Sequence, residues 1–286
     1  MLLQLLFVLV AIIIGARVGG IGLGILGGLG LAVLTFVFGL QPTAPPIDVM
    51  LMIVAVIAAA SCMQAAGGLD LMVKWAEKIL RKNPHHITLL SPFVTYFFTF
   101  FAGTGHVAYS VLPVIAEVAK DTGIRPERPL GIAVIASQQA ITASPISAAT
   151  VAMLSMLAGY NISLFDILKI SIPCTLAGVL LGALYSMKVG KELKDDPEYQ
   201  RRLAAGEISG DGYHTTEVAS HGKALTSVIL FLAATIGIVL FGSIDGLRPT
   251  FTTAQGEVQM EMSHIIEVLM LSAASRILLF TKTDGI

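Results

Sequence analysis

The sequence predicts an all-α polytopic membrane protein, and three observations carry that reading. Of 286 residues, 55% are hydrophobic and 13% charged, with a mean hydropathy of +0.82; an ordinary soluble domain is about 25% charged. The charge is also concentrated, with 12 of the 37 Lys, Arg, Asp and Glu residues in 189–223. Finally, eight apolar runs recur along the chain, five of them 18–23 residues long and so near the roughly 20 residues that a helix needs to cross hydrocarbon. A net charge of −1 excludes nucleic acid as a partner, because phosphate binding needs a large basic surface. Cys62 and Cys174 lie in separate apolar runs and read as small hydrophobes rather than a disulfide or metal ligands.

The runs are 2–14, 21–40, 49–66, 87–119, 130–158, 165–187, 224–244 and 263–280. The first has no basic start and no small-residue cleavage pattern, so it reads as an uncleaved helix rather than a signal peptide. The second is rich in glycine, and Gly20, Gly24 and Gly28 fall four apart, a spacing that lets helix backbones approach. Segment 69–82 repeats Leu71, Met72, Trp75, Ile79 and Leu80 at helical spacing opposite Asp70, Lys74, Glu77, Lys78 and Arg81. It is too short and charged to cross and is expected to lie in the interface plane.

Lysine and arginine placement sets the orientation. With the N-terminus outside, Arg17, then Lys74, Lys78, Arg81 and Lys82, then Lys120, Arg125 and Arg128 all fall inside only if 87–119 starts and ends on one side. The charge pattern therefore predicts a re-entrant hairpin over 87–119. Segment 130–158 then goes out and 165–187 returns, delivering a cytoplasmic polar linker, 189–223, ahead of the last two runs.

Two interruptions carry the candidate chemistry. Gly103-Thr104-Gly105-His106 breaks the middle of 87–119, and Ser137-Gln138-Gln139-Ala140-Ile141-Thr142-Ala143-Ser144-Pro145-Ile146-Ser147 breaks 130–158. Pro145 removes a backbone donor and clashes with the preceding turn. Irregular backbone at membrane depth is tolerated only where it is buried in protein or lines a wet cavity. Half-helix N-termini near the midplane offer free N–H groups and about half a positive charge each, the device by which carriers hold small anions. The candidate binding residues are Gly103, Thr104, Gly105, His106, Ser137, Gln138, Gln139, Thr142, Ser144, Pro145 and Ser147. Neither interruption contains Lys or Arg, so the expected ligand is an anion held by dipoles and neutral donors. His106 reads either as a proton relay or substrate contact, or as a satisfied structural histidine. Arg125 and Arg128 either draw or gate the anion at the cytoplasmic mouth or set orientation by snorkelling to lipid phosphate.

These strings resemble the anaerobic C4-dicarboxylate transporter family. The resemblance rests on Gly15-Ala16-Arg17-Val18-Gly19-Gly20, Gln64-Ala65-Ala66-Gly67-Gly68-Leu69-Asp70, Gly103-Thr104-Gly105-His106, Arg125-Pro126-Glu127-Arg128-Pro129 and Ile141-Thr142-Ala143-Ser144-Pro145-Ile146-Ser147-Ala148-Ala149, and runs along essentially the whole chain. It implies a secondary transporter of fumarate, malate, aspartate and succinate, working by exchange or proton-coupled uptake across the bacterial inner membrane. It also implies transport roles for Arg125 and, more weakly, Arg81, and an inverted-repeat fold with paired hairpins. On that scheme 1–188 is the first repeat and 224–286 the start of a second, incomplete repeat, because family members are longer than this chain. The partners are the dicarboxylates and the lipid bilayer, with a second copy of the chain (a homodimer) as a further candidate. No cofactor and no metal is expected.

Other classes fit less well. An intramembrane enzyme needs paired carboxylates or clustered histidines, and the spans hold only isolated ones, with His85 and His86 at an interface. A passive pore needs a ring of charge or a sustained polar face. A carrier of another small organic anion on the same fold, or a non-transporting fragment, are the remaining alternatives.

Overall fold

A computed structural model describes residues 2–18, 21–42, 44–45, 47–157, 160, 162–205, 221–244, 246–253 and 256–281. Its contacts divide into two units, Met1–Pro46 and Ile47–Ile286.

The first unit is a pair of helices, α1 (Leu2–Val18) and α2 (Gly22–Phe36). Their close approach is made at Gly15, where a Cβ would lie 2.8 Å from the Leu23 side chain, and at Gly30 opposite Ala11. Gly24 and Gly28 instead face open space, so the four-apart spacing is not what joins these two helices. At 1.5 Å per residue the 15 residues of α2 span roughly 22 Å, short of a roughly 30 Å hydrocarbon layer. Among the described residues four helices are long and apolar enough to cross a membrane, all in the second unit.

The second unit begins with α3 (Ile47–Ala65), α4 (Gly68–Lys82), α5 (Ile87–Ala102) and α6 (His106–Asp121). It continues through α7 (Glu127–Ala143), α8 (Ala148–Met156), α9 (Leu164–Ser186), α10 (Pro197–Ala204) and α11 (His221–Ser243). A two-stranded antiparallel hairpin, β1 (Thr250–Thr253) and β2 (Gly256–Gln259), leads into α12 (Met262–Thr281). This exposed hairpin is a small addition to the helical reading. Its segment is polar and too short to show a strand period.

The core lies where α11 and α12 pack on each other and on α3 and α4. Phe231, Ile238, Ile266, Met270 and Ile277 are fully buried there with Leu71 and Leu80 of α4. Helix α4 thus turns Leu71, Met72, Val73, Ala76 and Leu80 into protein, leaving Trp75 37% and Ile79 46% exposed. The stripe is divided: α6 and α11 cover part of it, and Trp75 stays on the outside.

Helices α5 and α7 form the tightest pair in the unit. Ser91 Oγ donates to the Pro129 carbonyl (3.1 Å), Thr95 Oγ1 to the Ala133 carbonyl (3.0 Å), and Thr99 Oγ1 bonds Ser137 Oγ (2.9 Å). Each rung advances four residues on both helices, so α5 and α7 run parallel. Helix α6 therefore returns to the end where α5 began, and α5–α6 is a hairpin whose turn lies at the far end of α7.

Candidate functional site

The hairpin turn is built by local backbone chemistry. Gly103 caps α5 with φ +69°, a left-handed conformation that costs an L-residue about 1–2 kcal/mol and that glycine adopts freely. Its N–H donates to the Thr99 carbonyl at 2.9 Å, ending α5. The break after α7 has a different cause. A residue before proline is pushed out of the helical region, and Ser144, preceding Pro145, sits at φ −74°, ψ 130°. Ser147 restarts the helix: its hydroxyl oxygen accepts from the Thr150 N–H (3.2 Å), a side-chain N-cap for α8.

The two irregular stretches meet. A Cβ on Gly103 would approach Ile146 Cγ1 to 2.8 Å, and one on Gly105 would approach the Gln138 amide (3.2 Å) and Ser137 Oγ (3.5 Å). Beside this contact is a cavity of about 410 Å³. Gly103, Thr104, Val107 and Ser110 line it from the hairpin, Ile146 and Ala148 from the break, and Ser61 and Gln64 with apolar neighbours from α3. The starts of α6 and α8 both border it, so two positive helix ends lie beside one space. No charged side chain lies among its described lining.

The sequence-selected residues separate into groups. Gly103 and Thr104 line the cavity. Gly105 is half-buried beside Gln138. Ser144, Pro145 and Ser147 are buried in the break, where they shape backbone rather than face the space. Ser137 is spent on Thr99 in the α5–α7 ladder. Gln138, Gln139 and Thr142 are exposed on α7, with the Thr142 hydroxyl donating to the Gln139 carbonyl (2.7 Å). His106 opens α6; its side chain lies outside what the structure describes. Sequence reasoning missed Ser61 and Ser110 and met Gln64 only within a resemblance string. The available signal was polar side chains one helical turn apart, Ser61 and Gln64, inside an otherwise apolar span.

The three arginines are all engaged with carboxylates. Arg81 joins Glu77 (2.8 Å), Glu117 (3.0 Å) and Asp121 (3.7 Å), tying the end of α4 to α6. Arg125 pairs with Asp196 (2.7 Å) and Glu127 (3.2 Å). Arg128, 9% exposed, donates to the Val189 and Gly190 carbonyls and to Glu192. The first part of 189–223 is therefore a strap folded over the α6–α7 elbow, not a free tether; 206–220 lie outside the described residues. Asp196 also N-caps α10, accepting from Glu198 N (3.0 Å) and Tyr199 N (3.3 Å). The Tyr199 N–H first, and then the Arg125 guanidinium, hold its carboxyl below the usual aspartate range. Asp196 in turn holds the Arg125 guanidinium above its ordinary value.

The sequence pattern of the anaerobic C4-dicarboxylate membrane transporter family matches residues 1–286. The chain belongs to that family. It is 46% identical over 285 residues to the C4-dicarboxylate transporter DcuA of Escherichia coli (strain K12), covering 99% of this chain and 64% of that protein. Against the anaerobic C4-dicarboxylate transporter DcuB of Escherichia coli O6:H1 the identity is 42% over 291 residues, with the same coverage. Against DcuA of Wolinella succinogenes it is 45% over 281 residues, 98% of this chain and 64% of the relative. The chain thus spans just under two thirds of the length of these curated relatives, all of which are named as transporters rather than enzymes. No solved structure matches it.

Proposed function

We propose that this family member takes part in secondary transport of C4-dicarboxylates (fumarate, malate, aspartate and succinate) across a bacterial inner membrane, by exchange or proton-coupled uptake. The observation that carries the proposal is the seating of the Gly103 turn on the Ile146 break beside a cavity that two helix N-termini border. Such ends favour negative charge, and neutral donors at Thr104, Ser110, Ser61 and Gln64 add hydrogen bonds without burying a permanent cation. The apolar wall suits the hydrocarbon middle of a four-carbon diacid. Arg81, Arg125 and Arg128 lie on the inner side of this path, α5–α6 is a re-entrant hairpin and α7–α8 a broken helix. Residues 1–188 form a first repeat, 189–223 a cytoplasmic linker and 224–286 the beginning of a second.

Proteoliposomes loaded with labelled succinate test the reading. External fumarate accelerates efflux if the protein exchanges, and leaves it unchanged if the path is a passive pore. Thr104→Ala weakens exchange while the protein stays in the membrane; normal exchange in that variant sinks the assignment of the site.

A further inference from the structure

A second cavity, of about 440 Å³, has no part in the site above. It gathers the start of α3, the end of α8, the start of α9, the segment after α11 and the start of α12. Every one of these segments falls on the outer side by the charge pattern. Met52 and Val151, both buried, line it. The neighbouring residues on the same two helices, Ile53 of α3 and Ala148 of α8, line the central cavity. The two spaces therefore border the same helix pair, the outer one walled there by buried, apolar Met52 and Val151.

Arg248 is the cation of this outer space. It is half-buried, and its Nε donates to the Phe241 carbonyl at 3.2 Å, which fixes the guanidinium. Among the described residues no carboxylate pairs with it, in contrast to Arg81, Arg125 and Arg128. Asp48 and Glu261 also line the cavity, but both are exposed. Their field is screened by water and salt more than that of a half-buried arginine. They also keep binding weak, as a path that must release its ligand requires.

We propose that this outer cavity is an entry site for the dicarboxylate, with Arg248 receiving one carboxylate before the anion moves inward past Met52 and Val151. The proposal rests on the transport reading for its ligand but not on the central cavity's residues. The test uses Ser155→Cys, which places a thiol on the cavity wall, with exposed Cys174 changed to serine and the protein in nanodiscs. Succinate slows labelling by a water-soluble maleimide about fivefold at about four times its dissociation constant, as one-site occupancy requires. R248Q abolishes that protection without changing the labelling rate in the absence of succinate. R248K keeps the charge but not the two-pronged geometry and needs several times more succinate. Thr104→Ala leaves the protection intact, whether or not the central cavity binds substrate. Labelling that ignores succinate, that responds equally to sodium chloride at matched ionic strength, or that is protected alike in R248K and the parent overturns the proposal.

Discussion

Gly103 and Ile146 touch across 43 positions of sequence so closely that a β-carbon on the glycine would sit 2.8 Å from Ile146 Cγ1. The end of one helix hairpin is thereby stacked on the gap in another helix. Gly103→Ala adds a left-handed alanine, about 1–2 kcal/mol, and forces Ile146 aside. We expect a lower thermal unfolding temperature in detergent and loss of dicarboxylate binding by calorimetry. Unchanged stability would show that the turn relaxes independently of the break.

Ser147 supplies the N-cap of α8. Ser147→Ala is expected to cost about 0.5–2 kcal/mol, and Ser147→Asp, which can still accept from Thr150 N, to recover most of it. Denaturation of the two variants side by side gives the answer; equal losses exclude capping as the role.

Thr99 and Ser137 form the last rung of the α5–α7 ladder. Ser137→Ala leaves a buried hydroxyl on Thr99 without this partner, at a cost of about 0.6–2 kcal/mol. Removing both groups in Thr99→Val with Ser137→Ala is expected to restore part of that stability. Strict additivity in the double-mutant cycle would argue against coupling.

Arg128 holds two strap carbonyls and Glu192 at once, a geometry lysine cannot reproduce. Arg128→Lys is expected to loosen 189–205, read as faster amide hydrogen exchange or proteolysis there, with α5 and α7 protected as before.

Acid acts on the same strap through Asp196. Its pKa is depressed in the folded protein, so its contribution is complete above the ordinary aspartate pKa of about 3.9 and disappears as pH falls through the lower folded value. Hydrogen exchange of α10 is expected to stay slow down to about pH 4 and to quicken below it. Asp196→Asn should remove that acid dependence.

The parts of this architecture legible in sequence are those whose cause is local. Glycine at position 103 and proline at 145 act on their own backbone, so both helix interruptions could be read directly, as could the charged stretch after α9. What escaped depends on partners far along the chain. Arg125 reaches Asp196 across 71 positions and Arg128 reaches Glu192 across 64, and no spacing rule announces such a meeting. Ser137 stands out in sequence as polar in an apolar run, but nothing near it announces its bond to Thr99, 38 positions earlier. Trp75 followed the period of α4 but fell at its margin, because α6 and α11 cover a narrower strip than the hydrophobic pattern spans.

The clasp between the α6–α7 elbow and the strap has one more implication. Glu192 and Asp196 belong to the same chain as the arginines they neutralise, so their hold on those arginines does not weaken on dilution. A free acid reaching Arg125 or Arg128 must out-compete this built-in rival.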